Sequence, residues 1–251
     1  MHRSFLLIHG MCCTGDVWRN FRRFYESRGV RVFTPTLRPH DRVRSRPPLS
    51  LQALRFADYL DDLEREIDRI EQLTGGPVTA IGHSMGGLLV QALAERNRPN
   101  AAVTICPTAP VDARTPQMNG FWAAFTFAYG FGFTPRTIFP LRPLADLFVL
   151  NQVPASERTL HYGDLVCESG EAFADFRIHR IDEHKVKIPL LTIAAGRDRL
   201  VPPELVRLTA ERYRRVGGAF KEYAHHGHWL FGEPGWDKVA ADILQWVQAN
   251  T

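Results

Sequence analysis

Val78-Thr79-Ala80-Ile81-Gly82-His83-Ser84-Met85-Gly86-Gly87 is the stretch that decides the architecture. A β-branched and apolar run ends at Gly82, a serine follows two positions later, and paired glycines open an apolar segment of helical period from Met85 to Arg98. This is G-x-S-x-G in a strand–turn–helix setting. A serine on so sharp a turn needs neighbours without side chains, Gly82 before it and Gly86 after it, so that the backbone can pack closely while the hydroxyl projects. The amino end of the following helix favours negative charge developing beside that hydroxyl. The same string also occurs in purely structural turns; the strand before it and the helix after it are what favour a chemical role here.

Outward from this elbow, short apolar runs followed by helical segments recur, the pattern of βα units around a parallel sheet covered on both faces. Six strands are expected, at 4–9, 30–34, 78–83, 102–106, 190–195 and 219–224. Helices are expected over 16–28, closed by Gly29, and over 51–73, where Leu60, Leu63, Ile67 and Ile70 make one stripe before Gly75-Gly76-Pro77. Three more follow over 85–98, over 203–216 with Pro203 at its start, and over 236–250. Between Pro107 and Ile188 the rhythm fails: no clear strand is visible, prolines and aromatics accumulate, and the interval is too long for a connection. The expected division is therefore a first core part over 1–106, a mainly helical cap over 107–188 and a second core part over 189–251. Inside the insertion Phe121, Trp122, Phe125, Phe127, Tyr129, Phe131 and Phe133 crowd together, and read equally as a helix packed on the core or as an apolar lid over a substrate.

On these residues the chain resembles the α/β-hydrolase family over nearly its whole length, in a compact six-stranded form without the two leading strands of the full family sheet. The resemblance implies that His9-Gly10-Met11 is the family's HG oxyanion loop. It likewise makes Asp198, in Gly196-Arg197-Asp198, the acid, and His228, in Gly227-His228-Trp229, the base; the order Ser, Asp, His is the one this fold uses. Chemistry assigns the roles: a serine hydroxyl needs a base to become a nucleophile, and the base needs a third group to fix its tautomer and stabilise the imidazolium. Ser84, His228 and Asp198 supply the three, and the main-chain N–H groups of Met11 and Met85 are expected to form the oxyanion hole. Asp112, after the fourth strand, is the rival acid, because some family members take theirs from that position. The expected substrate pocket draws on His9, Cys12, His83, Phe121, Trp122, Phe125 and Trp229. His83 is expected to pack rather than catalyse, and His9 to shape the oxyanion loop. Where the family often has D-x-R-G-x-G, this chain has Leu37-Arg38-Pro39-His40-Asp41 with Arg42, Arg44 and Arg46 following, a basic loop that is either solvated or a dock for an anionic group.

Composition sets limits on other readings. The 251 residues are 45% hydrophobic and 23% charged, which excludes a disordered or fibrous chain. The net charge of +4 is spread along the sequence with no basic stripe interleaved with aromatics, so nucleic acid is not an expected partner. Only four of the 31 basic residues are lysines, a bias that fits a GC-rich coding sequence rather than a ligand. Cys12, Cys13, Cys106 and Cys167 are too few and too irregular for a disulfide framework or a paired zinc site, which favours a reducing compartment. Cys12, Cys13 and Cys106 are expected as buried packing near the pocket. His225 and His226 have no acidic or cysteine partner at ligand spacing, so no metal is expected, and no cofactor either. The apolar run from Phe5 to Ile8 is too short for a signal peptide, and the uncharged interval from Arg114 to Arg136 is broken by prolines and is too short in its apolar centre to span a bilayer. A cytoplasmic serine esterase acting on a small ester with an apolar moiety is the expected function. Thioester, lactone and carbon–carbon bond cleavage stand as alternatives on the same triad, and a small-molecule receptor on the same scaffold is the alternative of another class.

Overall fold

The computed structural model describes residues 3–38, 47–114 and 137–251. Six parallel strands form the sheet in the order β2-β1-β3-β4-β7-β8, with β1 at Ser4–Ile8, β2 at Arg31–Phe33, β3 at Val78–His83, β4 at Ala101–Ile105, β7 at Leu190–Ala195 and β8 at Ala219–Tyr223. Each lies within one or two residues of its sequence-based position, the usual scatter at strand ends. The sheet is buried on both faces because successive side chains alternate between two cores. Phe5 and Leu7 of β1 join a cluster with Phe21, Tyr25, Val239, Ile243 and Val247, while Leu6 and Ile8 join Leu60, Leu63, Ile67, Ile70 and Leu89 on the opposite side.

The helices Arg19–Glu26 and Trp236–Asn250 therefore cover one face, and Phe56–Thr74 and Met85–Glu95 the other. The expected helix over 51–73 is broken: a short turn at Leu49–Gln52 precedes Phe56–Thr74, and Arg55 between them is extended. Long-range contacts hold the break open. Ser169 Oγ donates to the Leu54 carbonyl at 2.7 Å, the Asp175 carboxylate accepts the Phe56 N–H at 3.2 Å, and the Arg55 guanidinium grips Asp175 and Glu171. The expected helix over 16–28 likewise opens as a 3-10 turn, Gly15–Trp18, capped by Thr14.

The interval expected to lack strands contains two short ones. β5 (Thr137–Ile138) and β6 (Glu168–Ser169) pair antiparallel, and helices Arg158–Gly163 and Gly170–Ile178 flank them. Two-residue strands carry no alternation to read. Phe121, Trp122, Phe125 and the rest of the aromatic run lie outside the described residues, as do Arg42, Arg44 and Arg46. Arg38 is described and engages Asp58 and Asp62 on the helix Phe56–Thr74.

Candidate active site

Ser84 sits between β3 and the helix Met85–Glu95 at φ 54 and ψ −116, a conformation that side chains rarely adopt. Close backbone contact explains the flanking glycines. A Cβ on Gly82 would stand 2.1 Å from the Gly86 carbonyl oxygen, and one on Gly86 would stand 2.3 Å from the Ile8 carbonyl oxygen. The turn is further fixed by Ser84 N–H donating to the Ile105 carbonyl at 3.0 Å and by Thr108 N–H donating to the Ser84 carbonyl at 3.0 Å.

Asp198 follows β7 and His228 follows β8, and His228 Nδ1 lies 2.8 Å from Asp198 Oδ2 with both side chains buried. With a carboxylate as acceptor, Nδ1 carries the proton and Nε2 presents its lone pair. The other oxygen of Asp198 accepts the N–H groups of Leu200 and Val201, each at 2.8 Å, which holds the carboxylate in one orientation. Arg197 N–H donates to the His226 carbonyl at 2.8 Å and so joins the two loops. Asp112, the rival acid, instead pairs with Arg212 at 3.0 Å. Cys106, Asp198 and His228 are the one trio of potential metal-ligating side chains close enough to share an ion among the described residues. Within this trio His228 Nδ1 and Asp198 Oδ2 already bond each other.

Between the two halves lies His83, fully buried against Trp18, His228 and Phe231. Its Nε2–H donates to the His228 carbonyl at 2.8 Å, which makes it a prop for the loop. Burial holds its pKa well below the ordinary histidine value, and the neighbouring His228 adds to the effect.

The loop after β1 closes the remaining side. His9 is spent on its shape: Nδ1–H donates to the Gly10 carbonyl at 2.8 Å, and Nε2 accepts the Leu37 N–H at 3.0 Å. Both ring nitrogens being engaged, His9 is fully buried behind the loop and does not line the cavity, a departure from the expected pocket. Cys12 has a φ of 60 and is tied to the stretch between β4 and β7: its N–H faces Glu168 Oε2 at 3.4 Å and its carbonyl accepts the Val166 N–H at 2.9 Å. Cys12 and Cys13 pack into opposite cores, so the two thiols diverge despite being adjacent. All four cysteines are thiols rather than halves of disulfides. Among the described residues, neither the Met11 nor the Met85 N–H donates a hydrogen bond.

These elements enclose a cavity at the carboxyl ends of the strands, where ligands bind in open α/β sheets. Met11, Cys12, Cys13, His83, Ser84, Met85, His228 and Trp229 line it on one side, and Pro140, Val149, Leu165, Phe173 and Phe176, between β4 and β7, on the other. No Asp, Glu, Lys or Arg is among the described lining residues. Ser84 Oγ makes no hydrogen bond among the described residues and faces the same cavity as His228.

A profile described as the alpha/beta hydrolase family matches residues 5–242, a span that includes the elbow and both loops. The chain belongs to the alpha/beta hydrolase family. A search of curated proteins finds no match. Solved structures similar to this alpha/beta hydrolase include a methylesterase from Arabidopsis, at 16% identity over 98% of this chain and 99% of that one, with a TM-score of 0.75. A monoacylglycerol lipase from Paleococcus ferrophilus shares 20% identity over 99% and 95%, with a TM-score of 0.73. Tomato methylketone synthase I, solved with 2-tridecanone, shares 15% over the full length of both chains, with a TM-score of 0.77. At such identities the likeness shows a common fold.

Two supports of this hydrolase site escaped the sequence. Glu233 is buried and embraces the His228 loop: Oε2 accepts the Gly227 N–H at 2.7 Å and pairs with His226 Nδ1 at 3.2 Å, while Oε1 accepts the Trp229 N–H at 3.2 Å. Its signal was available, an acid five residues past the histidine. Glu168, buried between Tyr59 and the Cys12 loop, had none, because its partners are far away in the chain. Trp229 lines the cavity, and its Nε1–H donates to His161 at 3.2 Å.

Proposed function

We propose that the protein is a serine hydrolase that cleaves a carboxylic ester with an apolar moiety through an acyl-enzyme on Ser84. The observation that carries this reading is the buried 2.8 Å bond between Asp198 and His228, at the wall of a cavity that also presents Ser84. In this reading His228 Nε2 takes the Ser84 proton as Oγ attacks the ester carbonyl, and the Met11 and Met85 N–H groups receive the oxyanion. The imidazolium then protonates the leaving alcohol. A water molecule activated by the same nitrogen releases the acid and restores Ser84. Asp198 stays ionised throughout, holding the Nδ1–H tautomer and stabilising the imidazolium.

The absence of Asp, Glu, Lys and Arg among the described wall residues, with Phe173, Phe176, Leu165 and Val149 contributing, supports a neutral, apolar substrate part. The names of the methylesterase and the monoacylglycerol lipase agree with ester chemistry on this fold. Thioesters, lactones and diketones present the same electrophilic carbonyl to the same groups. A panel of p-nitrophenyl esters, thioesters and lactones of graded chain length tests the choice. Esters of intermediate acyl length are expected to give the highest kcat/KM, and Ser84→Ala to lower it by about 10⁴-fold or more. Preference for thioesters or lactones corrects the substrate class, and full turnover by Ser84→Ala overturns the mechanism.

A further inference from the structure

Four non-glycine residues among those described have positive φ, and three of them, Cys12, Ser84 and Cys106, surround the candidate site. Cys106 follows β4 directly at φ 44 and is fully buried. Its own N–H is tied to the Ile193 carbonyl at 2.8 Å. The residues around it hold the serine: Ile105 supplies the carbonyl that accepts the Ser84 N–H, and Thr108 supplies the N–H that Ser84 accepts. The strained turn over 105–108 thus grips the nucleophile's backbone while its second residue turns a side chain the other way. The Cys106 sulfur, an Asp198 carboxylate oxygen and a His228 ring nitrogen all lie within 4.8 Å of one another. Burial pushes the thiol well above its ordinary pKa and the Asp198 charge adds to this, so the sulfur keeps its proton.

We propose that Cys106 is a positioning residue for the Asp198–His228 pair, its thiol filling the space beside the carboxylate and presenting S–H to it. The assignment rests on the Ser84 hydrolase reading above. One turn then sets both ends of the triad, Ser84 through its backbone and Asp198 through the thiol. A thiol suits the place because it is a weak donor. It fixes the carboxylate without drawing off the charge that His228 needs. The other titratable and charged groups against the His228 loop among the described residues include His83, which burial keeps neutral, Glu233, which is occupied by the loop's own N–H groups, His226, which pairs with Glu233, His161, which accepts the Trp229 indole N–H, and Arg197, whose main chain bonds the His226 carbonyl and whose guanidinium lies against His225.

The test is the pH dependence of kcat and KM for a p-nitrophenyl ester in Cys106→Ser and Cys106→Ala, with thermal melting as a check on folding. A hydroxyl is the stronger donor and draws charge from Asp198, so the acidic limb of kcat/KM is expected to move down by about 0.3 pH unit or more in Cys106→Ser. Removing the donor is expected to move it up in Cys106→Ala, with kcat lower by about tenfold and KM within about twofold. Acidic limbs unmoved in both variants, whatever the melting temperature does, overturn the assignment and leave pure packing. Should Cys106→Ala fail to fold, the limb of the near-isosteric Cys106→Ser decides alone. Ser84→Ala is the separate control: if it retains activity the hydrolase reading itself fails, whereas its inactivity with unmoved limbs removes only the role of Cys106.

Discussion

Ser84 stands on a turn that glycines permit, whereas Asp198 and His228 stand on loops held by hydrogen bonds. On the serine side the constraint is steric: Gly82 and Gly86 let three backbone segments meet at distances that no Cβ allows. On the other side the constraint is electrostatic, with main-chain N–H groups converging on Asp198 and on Glu233. The difference teaches how each half tolerates change. A steric turn fails as a whole when a methyl is added, while a loop held by several polar contacts loses accuracy by degrees.

The steric half should break hardest. Gly82→Ala drives a methyl into the Gly86 carbonyl, and the destabilisation is expected to exceed about 3 kcal/mol. Little soluble protein should be recovered, and none with wild-type turnover; a well-folded, active variant in chemical denaturation and ester assays contradicts the steric account of the elbow. Asp198→Asn tests the polar half at its centre. It preserves the shape but offers His228 the wrong partner, and kcat is expected to fall by about 10⁴-fold with melting little changed. A loss of less than tenfold would move the acid elsewhere, to Asp112 for instance.

Glu233→Gln should cost less, because the side chain keeps its volume and one oxygen. The His228 loop loses one of its acceptors, and a kcat lower by about 10–10²-fold at nearly constant KM is expected from the displaced base. Unchanged steady-state kinetics would make Glu233 a bystander. The smallest effect is a pH dependence of stability. Burial lowers the pKa of His83, and His161 and His179 shift the same way. The unfolded chain takes up protons near pH 6.5 that the folded chain refuses, so stability is retained above that pH and lost as the pH falls through it. The slope is at most about 1.4 kcal/mol per pH unit for each such group. Urea midpoints at pH 7.5, 6.0 and 5.0 should fall accordingly and fall less in His83→Gln; equal slopes in the two proteins would remove His83 from the effect.

The same contrast governs what could be read from the sequence. The elbow is legible because sterics write themselves locally, as glycines at fixed offsets from Ser84. The six sheet strands were legible from their apolar runs, and the loops after β7 and β8 were singled out by the family resemblance, which places an acid and a histidine there. The supports were not, Glu233 close behind His228 excepted. Glu168 and Arg55 act on partners more than a hundred residues away, and the break at Leu54 exists because Ser169 and Asp175 bind the backbone there. The position of Cys106 beside Asp198 is a fact of strand neighbours, since β4 and β7 pair in the sheet while their residues lie far apart in sequence.

The most direct measurement is the mass of the intact protein and of its peptides after brief exposure to a fluorophosphonate. One adduct per chain is expected, on the peptide containing Ser84, formed rapidly in the wild type, slowly in His228→Ala and not at all in Ser84→Ala. An adduct on another residue, or none in a protein that still turns over esters, would contradict Ser84 as the nucleophile.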